Sequence, residues 1–148
     1  CLGGPGKPIR IEGGLKRRGK ISYPEARLSH SGTDQIRTAV TVITPLLESG
    51  PYVLCLFGIE TGITHQIRAQ AASAGFPLAG DSKYGGYVKA RNFYILHSYS
   101  IVNKEPGGDA DFSSVCADLP EESMKELTKI FGRTRVKNAL FEENCKFF

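Results

Sequence analysis

The chain has 148 residues, the length of one ordinary domain. Its 41% hydrophobic and 23% charged residues exclude a chain disordered throughout. The longest apolar run, Tyr52 to Ile59, is eight residues against the roughly 20 that a membrane helix needs, so no membrane partner is expected.

The net charge of +4 is unevenly placed. Residues 1–40 hold eight cationic side chains against three acidic ones, a net +5, which leaves −1 for the other 108. A basic segment suits a polyanion, and nucleic acid is the usual one; a solvated arm is the alternative. Cys1, Cys55, Cys116 and Cys145 are scattered without a CxxC pair, which argues against zinc and against a dense disulfide scaffold. The expectation is free thiols in a reducing intracellular compartment: cytoplasm, nucleus or mitochondrion. No apolar stretch of a secretory signal heads the sequence. The chain begins at Cys1, not Met, as expected of a processed product, an engineered fragment or part of something longer.

In chain order, residues 1–38 are rich in Gly, Ser and charge, and read as a basic irregular segment with at most a short edge strand at Pro8–Ile11. Ala39–Leu46 and Tyr52–Glu60 alternate in the manner of strands, and Ser49-Gly50-Pro51 between them is turn chemistry. Thr64–Ala74 changes period. Ile67, Ala71 and Ala74 fall at helical spacing, Thr61 or Thr64 can cap the start, and Gly75 suits the left-handed position after the end. Pro77–Gly86 is a Gly-rich turn, Phe93–Val102 another strand, and Asn103–Asp111 a polar loop. Pro120 opens a helix with Glu121 and Glu122 in its first turn, an apolar stripe of Met124, Leu127, Ile130 and Phe131, and Gly132 at its end. Further helix is expected around Val136–Phe141. The fold class is α+β, with a mixed, mainly antiparallel sheet flanked by helices.

The chemistry concentrates at Glu60-Thr61-Gly62-Ile63-Thr64-His65-Gln66-Ile67-Arg68, where a strand gives way at once to a helix. A helix start offers unpaired N–H groups to anions, and His65 and Arg68 at i, i+3 face the same way. Taken alone, the motif is equally a helix cap with a surface cation. The stretch is followed by Ala74-Gly75-Phe76-Pro77-Leu78-Ala79-Gly80-Asp81, by Tyr84-Gly85 and by Leu96-His97-Ser98. In that order, these motifs resemble the C-terminal half of RNA pseudouridine synthases of the RluA type. Their pattern runs T-G-R-T-H-Q-I-R, G-H-P-I-x-G-D, Y-G and L-H-A. The similarity is strongest over residues 52–102.

The resemblance implies a pseudouridine synthase-like fold, here a partial domain over residues 1–132 with 133–148 as an extension. It implies isomerisation of uridine to pseudouridine in rRNA or tRNA, without metal or organic cofactor, on a uridine flipped from its stack. An upstream Asp acts as nucleophile and an upstream Tyr stacks on the base. Arg68 matches the arginine that pairs with that Asp, keeping the carboxylate ionised and oriented. His65 and Gln66 match residues lining the site. Gly62, Gly80, Asp81 and Tyr84 match its supporting turns. Thr64, Lys16, Arg17, Arg18 and Lys20 are the expected RNA contacts.

Two departures stand out. The chain has no H-R-L-D motif, so the nucleophile is expected ahead of Cys1, in a missing N-terminal half of the domain; Asp34 reads as a solvated turn residue. Arg68 is therefore expected to be relatively free and to point into an open cleft; were it held, Asp81 is the nearest carboxylate by motif. Ile63 stands where the family usually has Arg, which removes a cation from the cleft edge. The alternative reading is an inactive relative that binds RNA or assists ribosome assembly.

Overall fold

The structure, a computed structural model, describes residues 1–18, 21–25, 36–89, 93–103 and 114–144. The chain divides into two compact units, Cys1–Tyr94 and Ile95–Phe148.

The first unit is built on an antiparallel four-stranded sheet of order β2-β1-β3-β4. Its strands are β1 (Ile9–Arg18), β2 (Ile21–Glu25), β3 (Ile36–Ser49) and β4 (Tyr52–Ile59). The β3–β4 pair is the one expected, and Gly50, at φ 55°, makes the two-residue turn between Ser49 and Tyr52. A bulge between Pro45 and Leu47 interrupts the ladder at the residue that has no N–H to give.

The irregular segment expected at 1–38 is corrected. Residues 9–18 form an inner strand, paired with β3 from Ile9↔Ile43 to Lys16↔Ile36 and with β2 from Gly14↔Glu25 to Arg18↔Ile21. Gly13-Gly14 and the basic run break the apolar alternation that would announce a strand. Two flanking ladders supply what local propensity lacks.

Helix α1 (Gln66–Ser73) lies against this sheet, where Leu15, Ala39 and Ala69 form a core joined by Ile63 and Tyr84. Alanines at 69 and 71 let the helix approach closely, and both are buried. Gly75 takes φ 88°, the left-handed position expected after the helix. A single 3-10 turn follows at Ser82–Tyr84.

In the second unit, β5 (Ser100–Val102) pairs antiparallel with β6 (Ser114–Cys116). Of the strand expected over 93–102, only its last three residues find a ladder. Helix α2 (Glu121–Phe131) starts after Pro120 and ends at Gly132, φ 83°, as expected. Helix α3 (Arg133–Asn144) follows at once and buries Val136 and Ala139. The boundary expected at residue 132 thus falls between two helices of one compact unit, because α3 buries its own apolar side chains. No disulfide joins Cys1, Cys55 or Cys116. No helix among the described residues is long and apolar enough to cross a membrane.

Candidate active site at the start of helix α1

β4 stops pairing with β3 at Ile59↔Thr41, and side chains continue the ladder from there. The Val40 N–H donates to Thr61 Oγ1 at 3.1 Å, and the Val40 carbonyl accepts from the Glu60 N–H at 3.2 Å and from Gln66 Nε2 at 2.9 Å. Gln66 Nε2 also donates to Thr41 Oγ1 at 3.0 Å, while its Oε1 accepts from Thr61 Oγ1 (2.9 Å) and from the Ile63 N–H (3.1 Å). An amide side chain has two donors and two lone pairs, and Gln66 uses all four. It is 3% exposed. The expectation that Gln66 lines the cleft is therefore corrected: it locks α1 to β3. Gln70, one turn on, accepts from Thr41 Oγ1 at 2.6 Å and donates to the Ala39 carbonyl at 3.1 Å.

Neither threonine caps α1 through its side chain. The residue before the helix is His65, at φ 59° the single non-glycine with positive φ among the described residues. That conformation is strained for a residue with a Cβ and holds only where neighbours enforce it. Here His65 Nδ1 lies 3.0 Å from the Tyr84 hydroxyl, with the rings edge-on at 5.8 Å. The same hydroxyl accepts from the Ser22 N–H at 2.9 Å, and Ser22 Oγ donates to the Thr64 carbonyl at 2.6 Å. A tyrosine hydroxyl that accepts from Ser22 still has its proton to give. The contact fits either imidazole tautomer, since the hydroxyl can donate to Nδ1 or accept from it. Thr64 itself is exposed.

Arg68 is the second correction. It is not unpaired: Nε donates to Asp81 Oδ2 and Nη2 to Asp81 Oδ1, both at 2.7 Å. The side chains are 11% and 1% exposed. The guanidinium also stacks between two rings, 4.8 Å from the centroid of Tyr84 and 4.6 Å from that of Tyr94. The hydrogen bond to Asp81 holds its pKa above the ordinary arginine value, against burial, which lowers it. Asp81 is fixed in turn by its backbone. Its N–H donates to the Leu78 carbonyl, its own carbonyl accepts from the Tyr84 and Gly86 N–H groups, and the Gly80 N–H donates to the Gly86 carbonyl at 2.7 Å. Gly80 needs φ 92°. A Cβ on Gly86 would stand 1.9 Å from the Leu78 oxygen, so the turn closes only on glycine there.

The expected residues thus separate. His65, Arg68, Asp81 and Tyr84 form one connected cluster, and Gly80 shapes the turn beneath it. Gly62 is exposed, and a Cβ there would meet open space, so nothing in the structure requires glycine. Ile63 packs on the Leu15–Ala39–Ala69 core instead of presenting a cation. Lys16 lies on β1 opposite Tyr23, and Arg17 and Arg18 end that strand. Lys20 and Asp34 lie outside the described residues, as does Cys145. His97, in the second unit, is bonded through Nε2 to the Ala117 carbonyl at 3.0 Å but is half-buried, not in the core. Among the described residues no group of three His, Cys, Asp or Glu side chains is placed to hold a metal.

Sequence reasoning misses Gln70, Thr41 and Ser22. The spacing of Gln66 and Gln70, i and i+4 on one helix face, is the available signal for the bonds to β3. Ser22 carries none.

Comparison with known proteins agrees with the motifs. An uncharacterized RNA pseudouridine synthase of Bacillus subtilis, YhcT, is 35% identical over 129 residues, covering 81% of this chain and 42% of its own. YlyB of the same organism, also so named, is 44% identical over 102 residues, 68% of this chain and 33% of its own. The resemblance to RNA pseudouridine synthases holds. Ribosomal large subunit pseudouridine synthase D of Borreliella burgdorferi is 30% identical over 101 residues, 66% of this chain and 30% of its own. Human RNA pseudouridylate synthase domain containing 1 superposes with a TM-score of 0.51 at 19% identity, over 83% of this chain and 60% of that one. This likeness extends to the pseudouridine synthase fold. No protein-family profile matches the chain. The chain spans about two fifths or less of the length of these curated synthases.

Proposed function

We propose that these residues form the C-terminal part of the catalytic cleft of an RNA pseudouridine synthase, acting on uridine in rRNA or tRNA. The observation that carries the reading is the Arg68 guanidinium, fixed by two bonds to Asp81 and by two aromatic rings at the start of α1. A guanidinium has five N–H donors, and the bonds to Asp81 use two on its Nε–Nη2 side. The Nη1 end remains to face a second anion. In this reading that anion is the nucleophilic Asp supplied from outside the 148 residues.

The chemistry needs an ionised carboxylate in a partly dry pocket, and a cation at hydrogen-bond distance keeps it ionised. Asp81 and the tyrosines stop the guanidinium from turning, so the orientation is set before substrate arrives. His65, its ring held edge-on by Tyr84, shares that tyrosine with Arg68. The isomerisation breaks the N1–C1′ bond, turns the base and joins C5 to C1′; the proton that leaves C5 is balanced by one gained at N1, so no other reactant is consumed. The basic run Lys16, Arg17, Arg18 and Lys20 would follow the RNA backbone, with exposed Thr64 as a further contact.

The test is to extend the chain ahead of Cys1 by its coding sequence, incubate it with transcribed rRNA and tRNA, and map pseudouridine. The 148 residues alone should make none. The extended protein should, and Arg68→Lys should abolish most turnover, because an ammonium cannot bridge two carboxylates as a planar fork does. RNA binding by the extended protein without any pseudouridine would favour the binding-only alternative.

A further inference from the structure

The two units differ in charge. Residues 1–94 carry twelve cationic side chains against six acidic ones, a net +6, while the remaining 54 residues net −2. A polyanion is therefore drawn to the first unit. There, the turn that holds Asp81 continues as Ser82-Lys83-Tyr84-Gly85-Gly86-Tyr87-Val88-Lys89, with two cations and no acid. Lys83 and Lys89 are both exposed.

The two tyrosines of this stretch go opposite ways. Tyr84 is half-buried, its hydroxyl shared by Ser22 and His65 and its ring on Arg68. Tyr87 is 72% exposed, more than any other large hydrophobic side chain among the described residues. A single exposed ring is ordinary, but the backbone beneath this one is not. Gly86, directly before it, is buried, donates its N–H to the Asp81 carbonyl at 2.8 Å and accepts from the Gly80 N–H at 2.7 Å. The ring is thus carried by the same turn whose carboxylate fixes Arg68. On a fixed backbone, a tyrosine has two side-chain torsions left to lose on contact, a small entropic cost for a large flat face. A flat face flanked by ammonium groups suits single-stranded RNA, whose bases stack on rings and whose phosphates take the cations.

We infer that Tyr87 is a stacking platform for an unpaired base beside the target uridine, with Lys83 and Lys89 on the adjoining phosphates. The target's place at Arg68 rests on the proposed function; the binding itself needs only the 148 residues. In a paired helix each base already lies on its neighbours, so the ring selects unpaired RNA. It does so with little regard to sequence, because every base has a π-face.

The experiment measures the affinity of the 148-residue chain for two labelled RNAs of equal nucleotide count, one unstructured and one fully paired in a duplex. Tyr87→Ala should weaken the unstructured RNA by about 5- to 150-fold, the range of one lost base stack, without changing its salt slope. Duplex affinity should stay where it was. Tyr87→Phe keeps the ring and should keep the parent affinity. Replacing Lys83 and Lys89 together by Ala should instead shrink the slope of log affinity against log salt, by about 0.7 per phosphate released. The chain has no tryptophan, so Tyr87→Trp provides a single fluorophore, which the unstructured RNA should quench. Unchanged affinity in Tyr87→Ala, equal losses on both RNAs or an unquenched fluorophore would overturn the proposal, as would a parent chain that binds neither RNA. Pseudouridine formation is scored apart: turnover with Tyr87→Ala silent on binding sinks the platform alone, and a working platform without turnover sinks the synthase reading alone.

Discussion

Helices α1 and α2 are held by opposite means. α2 buries Leu127 and Phe131, carries Glu121 and Glu122 in its first turn, and stops at Gly132, whose φ is positive. Its position is set by apolar area, which is not directional. α1 buries Gln66, Arg68 and Gln70 among its alanines, enters through a strained His65, and has no side-chain cap. Its position is set by hydrogen bonds, which fix angle and register as well as depth. The contrast fits the role proposed for α1, since a helix that is to carry a guanidinium to a reacting carboxylate must be placed within a fraction of an ångström.

The largest expected effect breaks α1 at its ion pair. Arg68→Ala leaves Asp81 buried and unpaired, and removing one member of such a pair costs about 3–5 kcal/mol. Denaturant unfolding of the 148-residue chain should show the loss. A stability within error of the parent would mean that water reaches Asp81 and that the pair is not buried in solution.

The next pair of substitutions compares the helices directly. Gln70→Met keeps the length and strands the Thr41 hydroxyl and the Ala39 carbonyl, so it should cost about 1–3 kcal/mol. Leu127→Met on α2 conserves apolar volume and should cost less than about 1.5 kcal/mol. Thermal unfolding of the two variants in parallel checks the order. If Leu127→Met proves the worse, α1 is held by its alanines and not by its glutamines.

Tyr84→Phe is a finer cut. It keeps the ring on Arg68 and removes the oxygen shared by Ser22 and His65, at a cost of about 1 kcal/mol. The readout is the His65 ring: its Nδ1 loses its partner, so the ¹⁵N tautomer signature should shift. An unmoved signature would detach His65 from Tyr84.

How much of the molecule is legible in its sequence follows from the same contrast. Periodicity and end signals describe area-driven elements, so β3, β4 and α2 are readable to within a few residues. They also find α1 as a helix, but they make Ile67, Ala71 and Ala74 its buried stripe. The structure instead buries Gln66, Arg68, Ala69, Gln70 and Ala71, because saturated amides and a paired guanidinium can go where apolar groups usually do. β1 escapes the pattern because its strand character comes from two neighbours and not from its own residues. Arg68, His65, Asp81 and Tyr84 stand out by motif. The Arg68–Asp81 bond is only the second choice there, since the motif points Arg68 first at a residue the chain lacks and offers Asp81 as the nearest other carboxylate.

The smallest expected effect on stability lies away from both helices, in the basic end of β1. Arg17 and Arg18 belong to the segment where eight cations face three acids, and charge in such a place acts on a polyanion more than on the fold. Changing both to Ala should leave the unfolding free energy within about 0.5 kcal/mol, the usual range for surface substitutions. RNA affinity should fall almost uniformly across sequences, since phosphate contacts carry no base information. The decisive quantity is the slope of log affinity against log salt, which should shrink by about 0.7 for each single-strand phosphate that the two side chains no longer neutralise. A reduced slope with unchanged stability would separate a surface that gathers RNA from the helix proposed to act on it. An unchanged slope would make the basic end of β1 a solvated edge and move the RNA contacts elsewhere, with exposed Thr64, just ahead of α1, the next residue to test.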